Sequence, residues 1–240
     1  MSNVTEASAN LREQLETIRE QSKSRAIAVG LHDLHTGFRF SLSGDRSFHA
    51  ASTIKVAVLL AIFRAADEGR FRLDDSLHVR NRFSSAADGS LFNVSADRDA
   101  TPELYQSIGR TAKIATLAHR MISGSSNLAT NLFVELVGVE YARKVLAEAE
   151  VTGVELRRGV EDHLAYERGI NNEATADGLV SLLSAVRGAF LTNESKREVI
   201  RVLLEQRFNS MIPAGLPTHA TVARQTGEIS TAGHDIGMVY

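Results

Sequence analysis

Between Ala50 and Gly69 the chain reads AASTIKVAVLLAIFRAADEG, and this stretch limits the fold more than any other. Val56 to Phe63 is an unbroken apolar run at helical length. A helix that is apolar nearly all round cannot lie on a surface, so the spacing predicts a central helix over 52–68, wrapped by other elements. Gly69 suits the position just past its C-terminus, where a left-handed residue ends a helix. With 240 residues, 43% of them hydrophobic, the chain has enough apolar material to surround such a helix within one domain.

Other elements follow from periodicity. Residues 6–22 read as an amphipathic helix, and RAIAVGLHDLHTGFRFSLSG as a β-hairpin around Asp33–Gly37. Helical patterns recur at 110–122, 128–137, 139–149, 175–190 and 194–206. Residues 70–109 and 152–174 read as irregular. TVARQTGEIST and DIGMVY return to strand, with Ala232–His234 read as the turn between them. Strands at both ends and helices between imply an α+β fold, in which the termini form an antiparallel sheet with flanking helices and the middle an all-helical lobe. The expected division is a single domain over 1–240, with an α/β lobe from 1–48 and 207–240 and a helical lobe over about 49–206.

Net charge is −2, which argues against a nucleic-acid partner. Cysteine is absent, so disulfides, thiolate metal sites and a cysteine nucleophile are excluded. The polar start carries no secretory signal, and no apolar run reaches membrane-spanning length, so no membrane association is expected. The chain as written reads as cytoplasmic, with export left open should its N-terminus be incomplete. His32 and His35 are three apart on a strand and face opposite sides, so no metal is assigned to them. No phosphate loop or dinucleotide fingerprint is present, and no cofactor is expected. His234-Asp235 is assigned to the turn rather than to a catalytic triad.

The charged residue in the apolar helix carries the chemistry. Lys55 lies three residues after Ser52, on the same helical face. A serine hydroxyl needs a base, and a buried lysine whose ammonium is disfavoured can be that base. The helix N-terminus adds donors for an oxyanion. The same tetrapeptide also fits a capping serine followed by a surface lysine. Against that bland alternative, Lys55 is the only one of five lysines with a serine three residues before it, and its flanks are too apolar for a solvated ammonium. MISGSSNLATNLF places Ser125, Ser126 and Asn127 between two helices. Ser125 suits a proton shuttle to a leaving group, and Asn127 a hydrogen bond to a substrate amide and to Lys55. A plain helix cap is the alternative. VARQTGEIST sets Gln225, Thr226 and Gly227 on a strand, where glycine admits a close substrate backbone.

Ser-x-x-Lys, then Ser-x-Asn, then a Thr-Gly pair resembles the ordered signature of class A β-lactamases and penicillin-binding proteins. VGLHDLHTGFRFSLSGDRSFHAASTIKV, IPAGLP and QTGEISTAGHDIGMVY extend the resemblance over nearly the whole chain. It implies the serine β-lactamase/DD-peptidase fold and a serine hydrolase that works through an acyl-enzyme on Ser52. Lys55 is then the base or relay, and Ser125 and Asn127 line the cleft. Thr226 touches a substrate carboxylate, and the N–H groups of Ser52 and Glu228 form the oxyanion hole. YERGINNEATA offers Glu167 and Asn171 at the family's spacing for a deacylating glutamate and its orienting asparagine. A charged solvated loop is the other reading of that segment.

Three departures stand out. Gln225 replaces the lysine of Lys-Thr-Gly and supplies no charge to a carboxylate, and Arg224 beside it points to the opposite face. Ser126 stands where aspartate is usual. By the resemblance, the family's last strand and C-terminal helix are missing, a truncated C-terminus. Two strands are then expected to face an open slot with unpaired backbone groups, unless another segment or chain fills it. The implied activity is β-lactam hydrolysis of a small amide or ester. A DD-peptidase or esterase of the same fold, and a catalytically impaired binding protein, remain as alternatives. Oligomeric state is left open.

Overall fold

The computed structural model describes residues 2–240, with side chains from Glu6 onward. The apolar stretch is the centre, as expected. A short 3-10 turn over Ala51–Thr53 leads into a helix at Ile54–Asp67, and Gly69 follows with φ +74°. In chain order the α-helices are α1 (Ser2–Gln21), α2 (Ile54–Asp67), α3 (Ile114–Ser123), α4 (Asn127–Val137), α5 (Val139–Glu148), α6 (His163–Glu167), α7 (Ala176–Arg187) and α8 (Asn193–Leu204). Every residue of α2 from Ile54 to Phe63 is buried, Lys55 included. Helices α3, α4, α5, α7 and α8 all pack on it. Removing a side chain such as Phe63 from this centre would leave a cavity costing about 3–5 kcal/mol.

All strand pairing among the described residues is antiparallel. The N-terminal hairpin pairs Val29–His32 with Arg39–Leu42. The C-terminal hairpin pairs Val222–Ile229 with Ala232–Val239, opposing Gln225 to Ile236 and Gly227 to His234. The turn of that second hairpin is Ser230–Thr231, not Ala232–His234. His234 and Asp235 therefore lie within a strand, correcting their assignment to the turn. Among the described residues, no ladder joins the two hairpins, which form separate two-stranded sheets.

The segments read as irregular contain short structure with no detectable period. Phe48–His49 pairs with Glu173–Ala174, which pairs with Val154–Glu155. This three-stranded patch ties the approach to α2 to the loop that carries α6. Arg158 and Asn172 brace that loop from within: Asn172 Oδ1 accepts from the N–H groups of Arg157 and Arg158 at 2.8 and 3.1 Å, and its Nδ2 donates to Arg158 O at 3.0 Å. No described helix is long and apolar enough to cross a membrane.

Candidate active site

Four separate segments converge on the N-terminal end of α2. The backbone there is bent before it becomes helical. Ala51 has φ +48°, and its N–H donates to His49 Nδ1 at 3.0 Å. Thr53 Oγ1 donates to Ala50 O at 2.6 Å. These contacts present Ser52 half-buried at the helix mouth. The C-terminal hairpin lies close against it. A Cβ added at Gly227 would stand 2.9 Å from Ser52 N and 3.0 Å from Thr53 N, so only glycine admits the strand there.

Lys55 is fully buried, and its ammonium donates three hydrogen bonds: to Ser125 O at 2.6 Å, Ser125 Oγ at 3.0 Å and Asn127 Oδ1 at 2.9 Å. None of the three goes to Ser52. Burial pulls the pKa from its ordinary 10.5 down to about 7, against the opposing pull of the Asp99 and Glu161 carboxylates. Near neutral pH a large share of Lys55 is therefore the free base. One of its contacts then reverses, with the amine accepting instead of donating.

Ser125 and Asn127 arrive from the turn between α3 and α4. Ser125 has φ +55°, a left-handed conformation that costs of order 1–3 kcal/mol at a non-glycine residue. Ser126 caps α4 by accepting from Ala129 N. Asn127 uses both ends of its amide: Oδ1 takes a bond from Lys55, and Nδ2 donates to Glu161 Oε1 at 2.6 Å.

Glu161, not Glu167, is the carboxylate in this network. Its other oxygen accepts from Ser95 N at 3.1 Å, and its own φ of +58° turns the side chain inward. Glu167 is exposed at the end of α6 and makes no side-chain hydrogen bond among the described residues. This corrects the placement expected from the Glu167–Asn171 spacing: Glu167 is the last residue of α6 and faces outward. Asn171 instead accepts a long bond from Arg158 at 3.4 Å.

Gln225 is fully buried between Ser125 and a partner that its neighbours in sequence do not reveal. Gln206 Nε2 donates to Gln225 Oε1 at 3.2 Å and to Ile122 O at 2.8 Å. Gln225 Nε2 then faces Ser125 Oγ at 3.4 Å and Thr226 O at 2.8 Å. Gln206 thus directs an N–H of Gln225 toward Ser125. Arg224 lies on the other face of the strand, where it pairs with buried Asp235 at 3.3 Å and donates to Asn209 Oδ1 and Phe208 O. It supplies no charge on the Gln225 side. Thr226 is half-buried, and Glu228 follows Gly227 at an exposed position.

A hydroxyl at a helix mouth, a buried lysine poised between protonation states and a second serine touching that lysine define a serine acyl-transfer hydrolase. The chain belongs to a known family of such enzymes: the family described as "Beta-lactamase enzyme family" matches residues 10–240. Beta-lactamase ROB-1 of Haemophilus influenzae is 26% identical over 223 residues, spanning 91% of this chain and 68% of that protein. Among solved structures, an acyl-enzyme complex of a PBP-A mutant with penicillin G has a TM-score of 0.79 at 26% identity, covering 96% of this chain and 82% of that one. An ancestral class A β-lactamase has a TM-score of 0.81 at 24% identity, covering 96% and 85%, and supports the fold alone. The fold is thus the α+β fold of class A β-lactamases and penicillin-binding proteins, and the chain is a serine hydrolase.

Asp99, Glu161 and Gln206 are the contributors that sequence reasoning missed. Asp99 and Glu161 come from segments without periodicity and Gln206 from just past α8, and no local spacing ties any of them to Ser52.

Proposed function

We propose that this chain hydrolyses β-lactams through an acyl-enzyme on Ser52. The observation that carries the reading is Lys55: fully buried, one turn from Ser52, and held by Ser125 and Asn127 with its pKa pulled to about 7. Ser52 Oγ attacks the lactam carbonyl as its proton passes to free-base Lys55. The N–H groups at Ser52 and Glu228 receive the oxyanion. The C–N bond breaks, and Ser125 gives its proton to the leaving nitrogen and is re-protonated from Lys55. Asn127 bridges Lys55 and Glu161, so Glu161 is the carboxylate that takes a proton from water as that water attacks the ester. As the ester C–O bond breaks, that proton passes back to Ser52 Oγ, which releases the opened acid and restores both Ser52 and the Glu161 carboxylate.

Gln225 supports a second reading within the same chemistry. A cleft whose strand residue is a neutral amide favours an uncharged ester or amide over a carboxylate. Turnover of a penicillin and of its methyl ester, each followed by loss of the lactam absorbance, tests both readings. Penicillin turnover that disappears in Ser52→Ala is the expected result. Turnover of the ester alone would select the second reading, and turnover retained in Ser52→Ala would refute the serine mechanism.

A further inference from the structure

The turn that holds Lys55 is itself held from a distance. Asp99 is 5% exposed, and its carboxylate accepts six hydrogen bonds. Oδ1 takes Thr101 N at 2.9 Å and Thr101 Oγ1 at 2.8 Å. Oδ2 takes Ser126 Oγ at 3.0 Å, Asn127 N at 2.8 Å, Leu128 N at 3.0 Å and Tyr105 Oη at 3.2 Å. Two of these donors are first-turn amides of α4, which have no partner within the helix. Those amides and the Ser126 hydroxyl flank the residues that bind Lys55. Ser125 supplies two of the three acceptors for Lys55, and does so from a left-handed backbone that its surroundings must enforce.

We propose that Asp99 is the positioning residue of this site: its carboxylate fixes the 125–127 turn, and through that turn places Lys55 for acylation. The inference rests on the acyl-enzyme reading given above. It also accounts for Ser126. A side chain at 126 already reaches Asp99 Oδ2, so a carboxylate at 126 would fall near the space that Asp99 now fills from 27 residues away. In this chain the supporting carboxylate comes from another segment, and serine at 126 leaves room for it.

A plain helix cap for α4 would show the same hydrogen bonds, so the test must read Lys55 and not stability alone. The charged and titratable groups that bear on Lys55 are the Asp99 and Glu161 carboxylates, with Tyr105 bonded to Asp99. Three variants of the full chain serve: Asp99→Asn, Asp99→Ala, and Asp99→Ala combined with Ser126→Asp. Two readouts apply to each. The titration of the Lys55 ε-methylene is followed by NMR. The rate of labelling by a fluorescent penicillin is followed against its concentration.

In Asp99→Asn the Lys55 midpoint should fall, because a negative neighbour is lost. The maximal labelling rate should drop roughly ten- to a hundredfold, the worth of one charge-assisted hydrogen bond. The half-saturating concentration should stay within about threefold, since both ends of the Asn127 amide are already taken by Lys55 and Glu161 and the loss falls on the placed base. Ser126→Asp should restore most of the rate and the midpoint to Asp99→Ala. A folded Asp99→Asn with the parent's midpoint and rate would overturn the proposal, as would a loss confined to the half-saturating concentration. If Asp99→Ala does not fold, the double variant must fold and label, or the proposal fails. A parent that never labels would refute the acyl-enzyme reading instead, and the Lys55 titration would still decide the role of Asp99.

Discussion

Replacing Lys55 by methionine keeps the length of the side chain and removes its charge, and the pH dependence of stability then reports on the lysine directly. Folded Lys55 titrates at about 7, while in the unfolded chain it returns to its ordinary 10.5. Between those values the unfolded state binds more protons than the folded one, so stability rises with pH. The penalty for burying this lysine is fully present below the folded pKa and is relieved as pH climbs toward the unfolded one. Integrating the two titrations from about pH 7 to 9.5 gives a gain of about 3 kcal/mol for the parent that Lys55→Met lacks. The variant also leaves Ser125 O and Asn127 Oδ1 without their donor. That loss adds an offset of about 1–3 kcal/mol per group, which does not change with pH over the window. Urea unfolding of both proteins at the two pH values measures the difference of differences. A relative gain near 3 kcal/mol is expected. A relative gain below about 1 kcal/mol would mean that Lys55 keeps an ordinary ammonium, and its role as the base for Ser52 would be refuted.

The remaining predictions concern the same cluster. The rate of Ser52 acylation should climb with pH through about 7 as Lys55 loses its proton, and a flat profile across that range would show that another group is the base. Glu161→Gln should acylate and then hold the adduct, whereas Glu167→Gln should release it like the parent, as read by intact mass over time; equal lifetimes in parent and Glu161→Gln would remove the carboxylate from deacylation. Gln225→Lys should favour a penicillin over its methyl ester by roughly ten- to a hundredfold in kcat/KM, from one new charge-assisted bond. An unchanged preference would place the substrate carboxylate elsewhere.

The central helix, Ser52, Lys55 and the Ser125–Asn127 turn were legible because local rules carry them. An all-round apolar run must be buried, and i, i+3 residues share a helical face whatever surrounds them. Arg224 and Gln225 point apart as strand alternation requires. The carboxylates were not legible in the same way. Glu167 matched a spacing, but spacing counts residues and ignores that His163–Glu167 coils into a short helix facing outward. Glu161 reaches Asn127 across 34 residues of chain, and Asp99 reaches the start of α4 across 27 to 29. Such contacts leave no periodic trace. The left-handed backbones of Ala51, Ser125 and Glu161 were equally hidden, because none is glycine. The turn of the last hairpin was misplaced because Gly233 beside His234 reads as a turn, while the chain bends at Ser230–Thr231.

Peptide mapping of the protein after brief exposure to a penicillin tests the central claim most directly. One acyl group added by ring opening, located on the peptide that carries Ser52 and absent from Ser52→Ala, is the expected result. An adduct on any other residue, or one that forms equally in Ser52→Ala, would contradict it.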